Sequence, residues 1–215
     1  MIPLSRRRFA RFAALASSGL AAQNRMNTRI FSFAGGKTGQ WSVLSAKAVI
    51  GEPLALTERL DVQSTLISPA PAGAAWVLRG VTSNERYVTR AEKDQLAAKQ
   101  TPPGRAEATR AALIPIRKNA AWWAMTQDER RKILEETSHH IRTGLAYLPA
   151  ISRRLHHCRD LESAEPFDFL TWFDYAPTHS EAFEELVSKL RATEEWRVVD
   201  REVDIRLTLR HTPDP

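Results

Sequence analysis

Hydrophobic residues recur at regular intervals through the second half of the chain. Between positions 180 and 193 they form a stripe with the period of an α-helix, made by Phe183, Leu186, Val187 and Leu190. Between 196 and 209 the spacing changes to that of a strand, and one face carries Val199, Val203, Ile205 and Leu207. The pattern therefore predicts a helix followed by a closing strand.

The segments before this pair complete a recognisable order of elements. A capping box, Thr126 with Glu129 three residues later, opens a helix that we predict over 126–148. Strands are predicted at 110–118, 150–161 and 167–175, the last of them rich in aromatic residues. The resulting order is β-α-β-β-α-β, which is the ferredoxin-like α+β pattern.

The first half has a weaker pattern. Strands are predicted at 28–35 and 74–83, a helix at 89–100, and a loop that ends this half at 101–104. A weakened copy of the same α+β unit is compatible with these elements, although no internal repeat is evident.

Composition narrows the class of protein. Of 215 residues, 43% are hydrophobic and 26% charged, which is typical of a globular protein. The single cysteine, Cys158, excludes an intramolecular disulfide and any metal site built from several cysteines. The net charge of +6 owes much to arginines in the first 25 residues, and no dense basic patch follows. We therefore expect no nucleic-acid partner, and the excess positive charge favours a small anion instead.

The first 25 residues resemble an export signal. They contain SRRRFARFAALASSGLAA, in which paired arginines precede a phenylalanine and a modest apolar run. This is the order of a twin-arginine signal, which implies a periplasmic location, and the run is too short to span a bilayer. If translation starts at Met26 instead, the protein is cytoplasmic. Residues 1–25 are excluded from the fold prediction, and no stable membrane insertion is expected.

Two adjacent histidines lie on the predicted helix 126–148. His139 shares its face with polar residues and is expected to face water, whereas His140 lies on the flank of the buried stripe. Gly144, one turn after His140, costs the helix about 1 kcal/mol relative to alanine. A flat ligand pressed against that face would explain why the glycine is tolerated.

Two adjacent arginines lie on the next predicted strand, where neighbouring side chains point to opposite faces. Arg153 shares its face with Ile151 and Leu155 and is the better candidate for an inward guanidinium, while Arg154 is assigned to the surface. A buried arginine is costly without an anionic partner. Periodicity alone leaves ordinary explanations open: a core histidine, a salt-bridged arginine, and packing for the Trp122–Trp123 pair.

A long, ordered resemblance changes this balance. The chain resembles the chlorite dismutase family, in particular its short-chain, dimeric branch, over LIPIRKNAAWWAMTQDER, SHHIRTGLAYLPAISRRLHHCRDL, FDFLTWFDYAP and LRATEEWRVVDREVDIRL. A weaker likeness extends over GGKTGQWSVL and LRGVTSNERYVTRAEK. The resemblance implies two tandem ferredoxin-like halves of the dimeric α+β barrel type. These are a reduced N-terminal half at 26–105 and a haem-binding half at 106–215.

The resemblance also implies roles for individual residues around haem b. His140 would be the proximal iron ligand, Glu195 would hydrogen-bond its far ring nitrogen, and Arg153 would be the distal catalytic arginine. The cofactor would also be contacted by Lys118 and Tyr87 at a propionate and by Trp122 and Trp123 at the pocket walls.

The implied reaction converts chlorite into chloride and dioxygen. Chlorite would transfer an oxygen atom to ferric haem, and the resulting ferryl iron and hypochlorite would recombine. Two alternatives stay open on the sequence: a coproheme decarboxylase of haem synthesis, and a haem-binding or sensing protein without enzymatic activity. The resemblance further implies a homodimer.

Overall fold

The computed structural model describes residues 29–209, so the predicted export signal lies outside the described residues. Its strands are β1 (Ile30–Gly36), β2 (Trp41–Ile50), β3 (Arg59–Gln63), β4 (Trp76–Thr82), β5 (Arg110–Lys118), β6 (Ile151–His157), β7 (Phe169–Tyr175) and β8 (Val199–Leu209). Its α-helices are α1 (Arg90–Lys99), α2 (Ala120–Ala124), α3 (Gln127–Arg131), α4 (His140–Ala146) and α5 (Ser180–Arg191). A π-helical turn (Lys132–Thr137) joins α3 to the segment before α4, and short 3₁₀ turns cover Cys158–Asp160, Pro177–His179 and Glu194–Val198.

The strands form a closed antiparallel barrel in the order β1-β3-β2-β8-β5-β7-β6-β4. Each half of the chain supplies four neighbouring strands, and within each half the order along the barrel is fourth, first, third, second. The halves meet at two seams. One is long and pairs β2 with β8 from Trp41↔Leu209 to Ile50↔Glu202. The other pairs β4 with β6 only at Val81↔His157 and Thr82↔His156.

Alternation along the strands separates two apolar clusters. One fills the barrel and draws side chains from both halves, among them Phe33, Leu60, Leu113, Leu170 and Ile205. The other lies between the outer face of β5, β6 and β7 and helix α5. The predicted stripe of α5 is confirmed, since its four members are all buried in this outer cluster.

Strand β8 departs from its predicted face at one end. Val203, Ile205 and Leu207 are buried inside the barrel as predicted. Val199 instead packs in the outer cluster, because the pairing of β5 with β8 shifts register between Arg117 and Lys118. Such a bulge turns the residues beyond it to the other face.

The predicted helix 126–148 is interrupted in the structure. Its capping box is present, with the amide of Thr126 donating to Glu129 at 2.7 Å. The α-helical pattern gives way to the π turn after Arg131, and His139 adopts a left-handed backbone with φ +53°. Strands β2 and β3 were not predicted, because β2 mixes half-buried and exposed positions without clean alternation. Among residues 29–209 no helix is both long and apolar enough to cross a membrane.

Candidate functional site

A large pocket lies on the outer face of the barrel, between the β5-β7-β6 sheet and helices α4 and α5. It encloses about 1150 Å³ of space, including its opening to solvent. Its walls are mostly apolar, as is usual for sites that bind an organic ligand. Apolar lining residues include Ile114, Ile116, Ile141, Ile151, Leu155, Phe169, Phe173, Leu186, Val187 and Leu190.

His140 and Glu195 form a hydrogen-bonded pair in the pocket wall. The Nδ1 atom of His140 lies 2.6 Å from Oε2 of Glu195. Burial of Glu195 would raise the pKa of its carboxyl group, but the charges of His140 and Lys118 and their hydrogen bonds outweigh this and lower the pKa to about 2. A carboxylate can only accept, so Nδ1 of His140 is the donor in this pair. In the neutral form of the ring the proton therefore stays on Nδ1, and Nε2 has a lone pair available to a metal.

Lys118 completes this arrangement at the end of β5. Its Nζ atom lies 2.9 Å from Oε1 of Glu195 and 3.2 Å from the Glu195 carbonyl oxygen. The ammonium also lies over the rings of Trp122 and Trp196, 4.8 and 5.6 Å from their centroids. The structure thus gives Lys118 a role with Glu195, and its predicted contact with a haem propionate stays a prediction.

Two further contacts hold the backbone on which Glu195 lies. The amide of Glu195 donates to Ser138 Oγ at 2.9 Å, which ties the 3₁₀ turn to the segment just before His140. The indole of Trp196 donates to Glu202 at 2.7 Å. Glu202 is fully buried and is itself paired with Arg191. Sequence reasoning missed Ser138, Trp196 and Glu202, because their contacts span segments distant in sequence.

Arg153 lies on β6 and lines the same pocket. Its Nε atom is buried and has no hydrogen-bond partner among the described residues, and no ion pair with a described carboxylate is formed. Burial lowers the pKa of this guanidinium. The Arg153 carbonyl accepts from Gln100 of the segment after α1 at 3.1 Å, which ties the strand to the first half. Arg153 is half-buried as a whole, and a guanidinium without a protein partner in an apolar pocket provides a natural contact for an anion.

The outward members of the doubled pairs are less exposed than predicted. Arg154 packs on the inner side of β6, 4.5 Å from the centroid of Phe31, so its assignment to the surface is wrong. The reason is that both faces of β6 are covered in a closed barrel with helices outside it. His139 is half-buried and does not line the pocket.

Two aromatic residues of the pocket present donors without partners. The hydroxyl of Tyr87 and the indole Nε1 of Trp122 are buried, and neither has a hydrogen-bond partner in residues 29–209. The two rings contact edge to face at 6.0 Å. Trp123 lies behind the wall instead: it donates to Asp168 at 3.1 Å and stacks on Phe169. The structure therefore brings together all the predicted site residues except Trp123.

Haem b suits this set of groups. An imidazole with Nδ1 held by a carboxylate is a typical axial ligand, because the second hydrogen bond fixes the ring and strengthens its donation. The unpartnered donors of Tyr87, Trp122 and Arg153 suit anionic groups, and the apolar walls suit a macrocycle. Gly144 adds room, since a Cβ built there has Arg153 Nε at 3.9 Å as its nearest neighbour.

Comparison with known proteins places the chain among relatives. The family model described as chlorite dismutase matches residues 7–211. A chlorite dismutase of Ideonella dechloratans is 36% identical over 64 residues, which is 30% of this chain and only 20% of that protein's length.

Solved structures extend the comparison over the whole fold. The dimeric chlorite dismutase of Nitrobacter winogradskyi shares 58% identity at a TM-score of 0.76, covering 84% of this chain and 99% of that one. The chlorite dismutase of Candidatus Nitrospira defluvii in complex with imidazole shares 19% identity at a TM-score of 0.60, covering 87% and 95%, which shows likeness of fold alone. Because the family model covers nearly the whole chain, the chain belongs to the chlorite dismutase family.

Proposed function

We propose that the protein is a haem b chlorite dismutase, which converts chlorite into chloride and dioxygen. The observation that carries the proposal is the pocket itself. One wall offers the Nε2 atom of His140, and the sheet offers the unpaired guanidinium of Arg153. A ligand nitrogen and a half-buried, unpaired cation in one apolar pocket suit a metal cofactor that acts on a small anion.

His140 would bind the iron, and Glu195 would set how strongly it does so. By accepting the Nδ1 proton at 2.6 Å, Glu195 fixes the plane of the ring and makes Nε2 a stronger donor. Lys118 keeps Glu195 ionised, because its ammonium compensates the buried carboxylate at 2.9 Å. His140 would thus donate strongly to the iron, while the negative charge of Glu195 stays buried and compensated by Lys118.

Arg153 would act on the substrate. Its guanidinium is a permanent cation in an apolar pocket, so it attracts chlorite and holds the anionic product of the first oxygen transfer until the O–O bond forms. Haem, when bound by His140, would supply the redox chemistry of oxygen-atom transfer. Hypochlorite that is held near Arg153 would not escape and damage the haem. Arg153 should therefore affect the lifetime of the enzyme as well as its rate.

Oxygen evolution by the haem-loaded protein tests this proposal. We expect one dioxygen per chlorite on an oxygen electrode, with the Soret band followed in parallel. Arg153→Gln should lower kcat/KM and hasten bleaching of the haem. Arg153→Lys should retain part of the native kcat/KM and part of the native resistance to bleaching. Arg197→Gln, at an exposed position, should behave as native protein. A normal Soret band with negligible oxygen would reject the enzymatic function and favour haem sensing.

Three further properties belong to the same proposal: the oligomeric state, the location in the cell and the division of the fold into two halves. The relative from Nitrobacter winogradskyi is described as dimeric, and we propose a homodimer here, to be checked by light scattering. We propose twin-arginine export to the periplasm, which replacement of Arg6 and Arg7 by lysine should abolish. The matching strand order of the two halves supports tandem ferredoxin-like units, the first without helices between its strands.

A further inference from the structure

The segment before the candidate iron ligand has an unusual backbone. The π turn at Lys132–Thr137 ends with the amide of Ser138 donating to the carbonyl of Ile133 at 3.1 Å. His139 then adopts the left-handed region, with φ +53° and ψ +35°. A non-glycine residue there costs on the order of 1 kcal/mol, so its surroundings must hold it in place.

Glu135 makes the contacts that hold it. Its carbonyl oxygen accepts from the amide of His139 at 3.0 Å and lies 2.9 Å from His139 Nδ1. Its carboxylate accepts from the amides of Ile141 at 2.6 Å and Arg142 at 3.3 Å. Glu135 thus fixes residues on both sides of His140 and leaves the His140 side chain free to face the pocket.

This arrangement replaces an ordinary helix cap. His139 precedes the first residue of α4, yet its side chain makes no capping hydrogen bond. The carboxylate of Glu135 satisfies the amides that such a cap would satisfy, and its charge suits the positive end of the helix. Without the Glu135 carboxylate, α4 could continue the preceding turn and rotate His140 away from Glu195.

We infer that Glu135 is a positioning residue for the iron ligand. Its carboxylate fixes the amides of Ile141 and Arg142, so that α4 starts directly after the left-handed His139 and His140 points between Glu195 and the pocket. The inference rests on the proposed function, since it concerns haem bound at His140. Glu135 is absent from the residues that line the pocket, so its effect must pass through the backbone.

Haem release and the iron–histidine bond provide the test. In the holoprotein, Glu135→Ala should release haem to apomyoglobin roughly tenfold faster, as supporting residues of metal ligands typically do. In the ferrous form, its iron–histidine stretching band in resonance Raman should shift or broaden, because the ring no longer keeps a single hydrogen bond. Glu135→Gln should lie between, since an amide oxygen still accepts. Glu136→Ala, an exposed neighbour in the same π turn, should match native protein in both measurements.

A second pair of variants separates positioning from folding. His139→Gly removes the cost of the left-handed backbone and should keep the native iron–histidine band. His139→Val disfavours that backbone and should shift the band, although residue 139 does not line the pocket. If Glu135→Ala shows a native-like band and a native-like release rate, this inference is overturned and the proposed function stands. If Glu135→Ala does not fold, the same result in His139→Val overturns the inference. Absence of an iron–histidine band in the native protein would overturn the proposed function, and this inference with it.

Discussion

His140 and His139 are adjacent in sequence and differ in what surrounds their rings. His140 lines the pocket with its Nδ1 atom on Glu195, whereas His139 turns its ring to the carbonyl of Glu135. We expect His140→Ala to abolish stable haem binding, because the pocket loses its iron ligand. His139→Ala should still bind haem, since alanine can retain the left-handed backbone. Haem titration followed at the Soret band measures both, and equal binding by the two variants would refute the ligand assignment.

Gly144 is important because it has no side chain, in contrast to His140, whose ring is predicted to bind the iron. A Cβ there would meet only Arg153 Nε at 3.9 Å, so the haem-free protein has room for it. We expect Gly144→Ala to stabilise the haem-free protein by up to about 1 kcal/mol through helix propensity. The same methyl would occupy space that we assign to the haem, so haem affinity should fall.

Urea denaturation of the haem-free variant and haem titration of the same preparation check the two effects separately. A variant that is stabilised and binds haem as native protein does would mean that the cofactor lies away from α4.

Residue patterns could identify the candidate site only in part. Periodicity favoured His140 and Arg153 over their neighbours, and both line the pocket. It could not supply Glu195, which came from the resemblance, or the contacts of Ser138 and Glu202, which join segments far apart in sequence. Arg154 was misassigned because a strand pattern shows two faces but not what covers each of them.

At the scale of elements, an ion pair joins the helix of the first half to those that carry the site. Glu92 belongs to the capping box of α1 and pairs through both oxygens with Arg131 at the end of α3, at 2.8 and 3.0 Å. Arg131 also donates to the Tyr87 carbonyl. This contact positions the segment of Tyr87 against the helices around His140.

Loss of the Glu92 charge should weaken this connection in a pH-dependent way. Burial would raise the pKa of Glu92, but the hydrogen bonds from Arg131 and Thr89 outweigh it and lower the pKa below its ordinary 4.5. The ionised carboxylate therefore stabilises the fold above pH 4.5, and the contribution is lost as pH falls through the lowered value. Because solvent screens this pair, Glu92→Gln should cost no more than about 1 kcal/mol at pH 7.

Chemical denaturation of Glu92→Gln and native protein at a series of pH values tests this sign. The difference in free energy of unfolding should shrink below pH 4.5. A difference that stays constant down to strongly acidic pH would mean that the pair contributes through packing rather than charge.

Helices and strands could be predicted where one face of the element is buried. They could not be predicted where contacts with distant segments determine the backbone conformation. The stripe of α5 was predicted correctly because its burial follows helical geometry. The break before α4 was not predicted, since Glu135 holds it by contacts that no periodicity encodes. Strand β2 stayed unpredicted because half-buried and exposed positions follow each other along it without clean alternation.

At the scale of the whole molecule, the two halves depend on each other to close the barrel. The seam between β4 and β6 pairs only two residues on each strand. It continues beyond them, because Ser83 donates to the Leu155 carbonyl at 2.9 Å and Leu155 donates to Asn84 at 2.8 Å. Asn84 lines the pocket, so closure of the barrel and the shape of the site are connected.

Gly80 lies at this seam and leaves no room for a side chain. A Cβ built there would lie 2.7 Å from the Cβ of His156, which is fully buried between the rings of Phe31 and Phe33. Since His156 cannot withdraw from that contact, Gly80→Ala must push β4 away from β6. We expect the free energy of unfolding to fall by about 1–3 kcal/mol, as for other overpacked cores, and haem affinity to fall with it because Asn84 and Tyr87 follow β4. Urea denaturation and haem titration of Gly80→Ala measure the two effects. In the urea experiment Gly144→Ala is the contrasting variant, because its added methyl meets no such contact. A Gly80→Ala variant as stable as native protein would show that the short seam yields without cost.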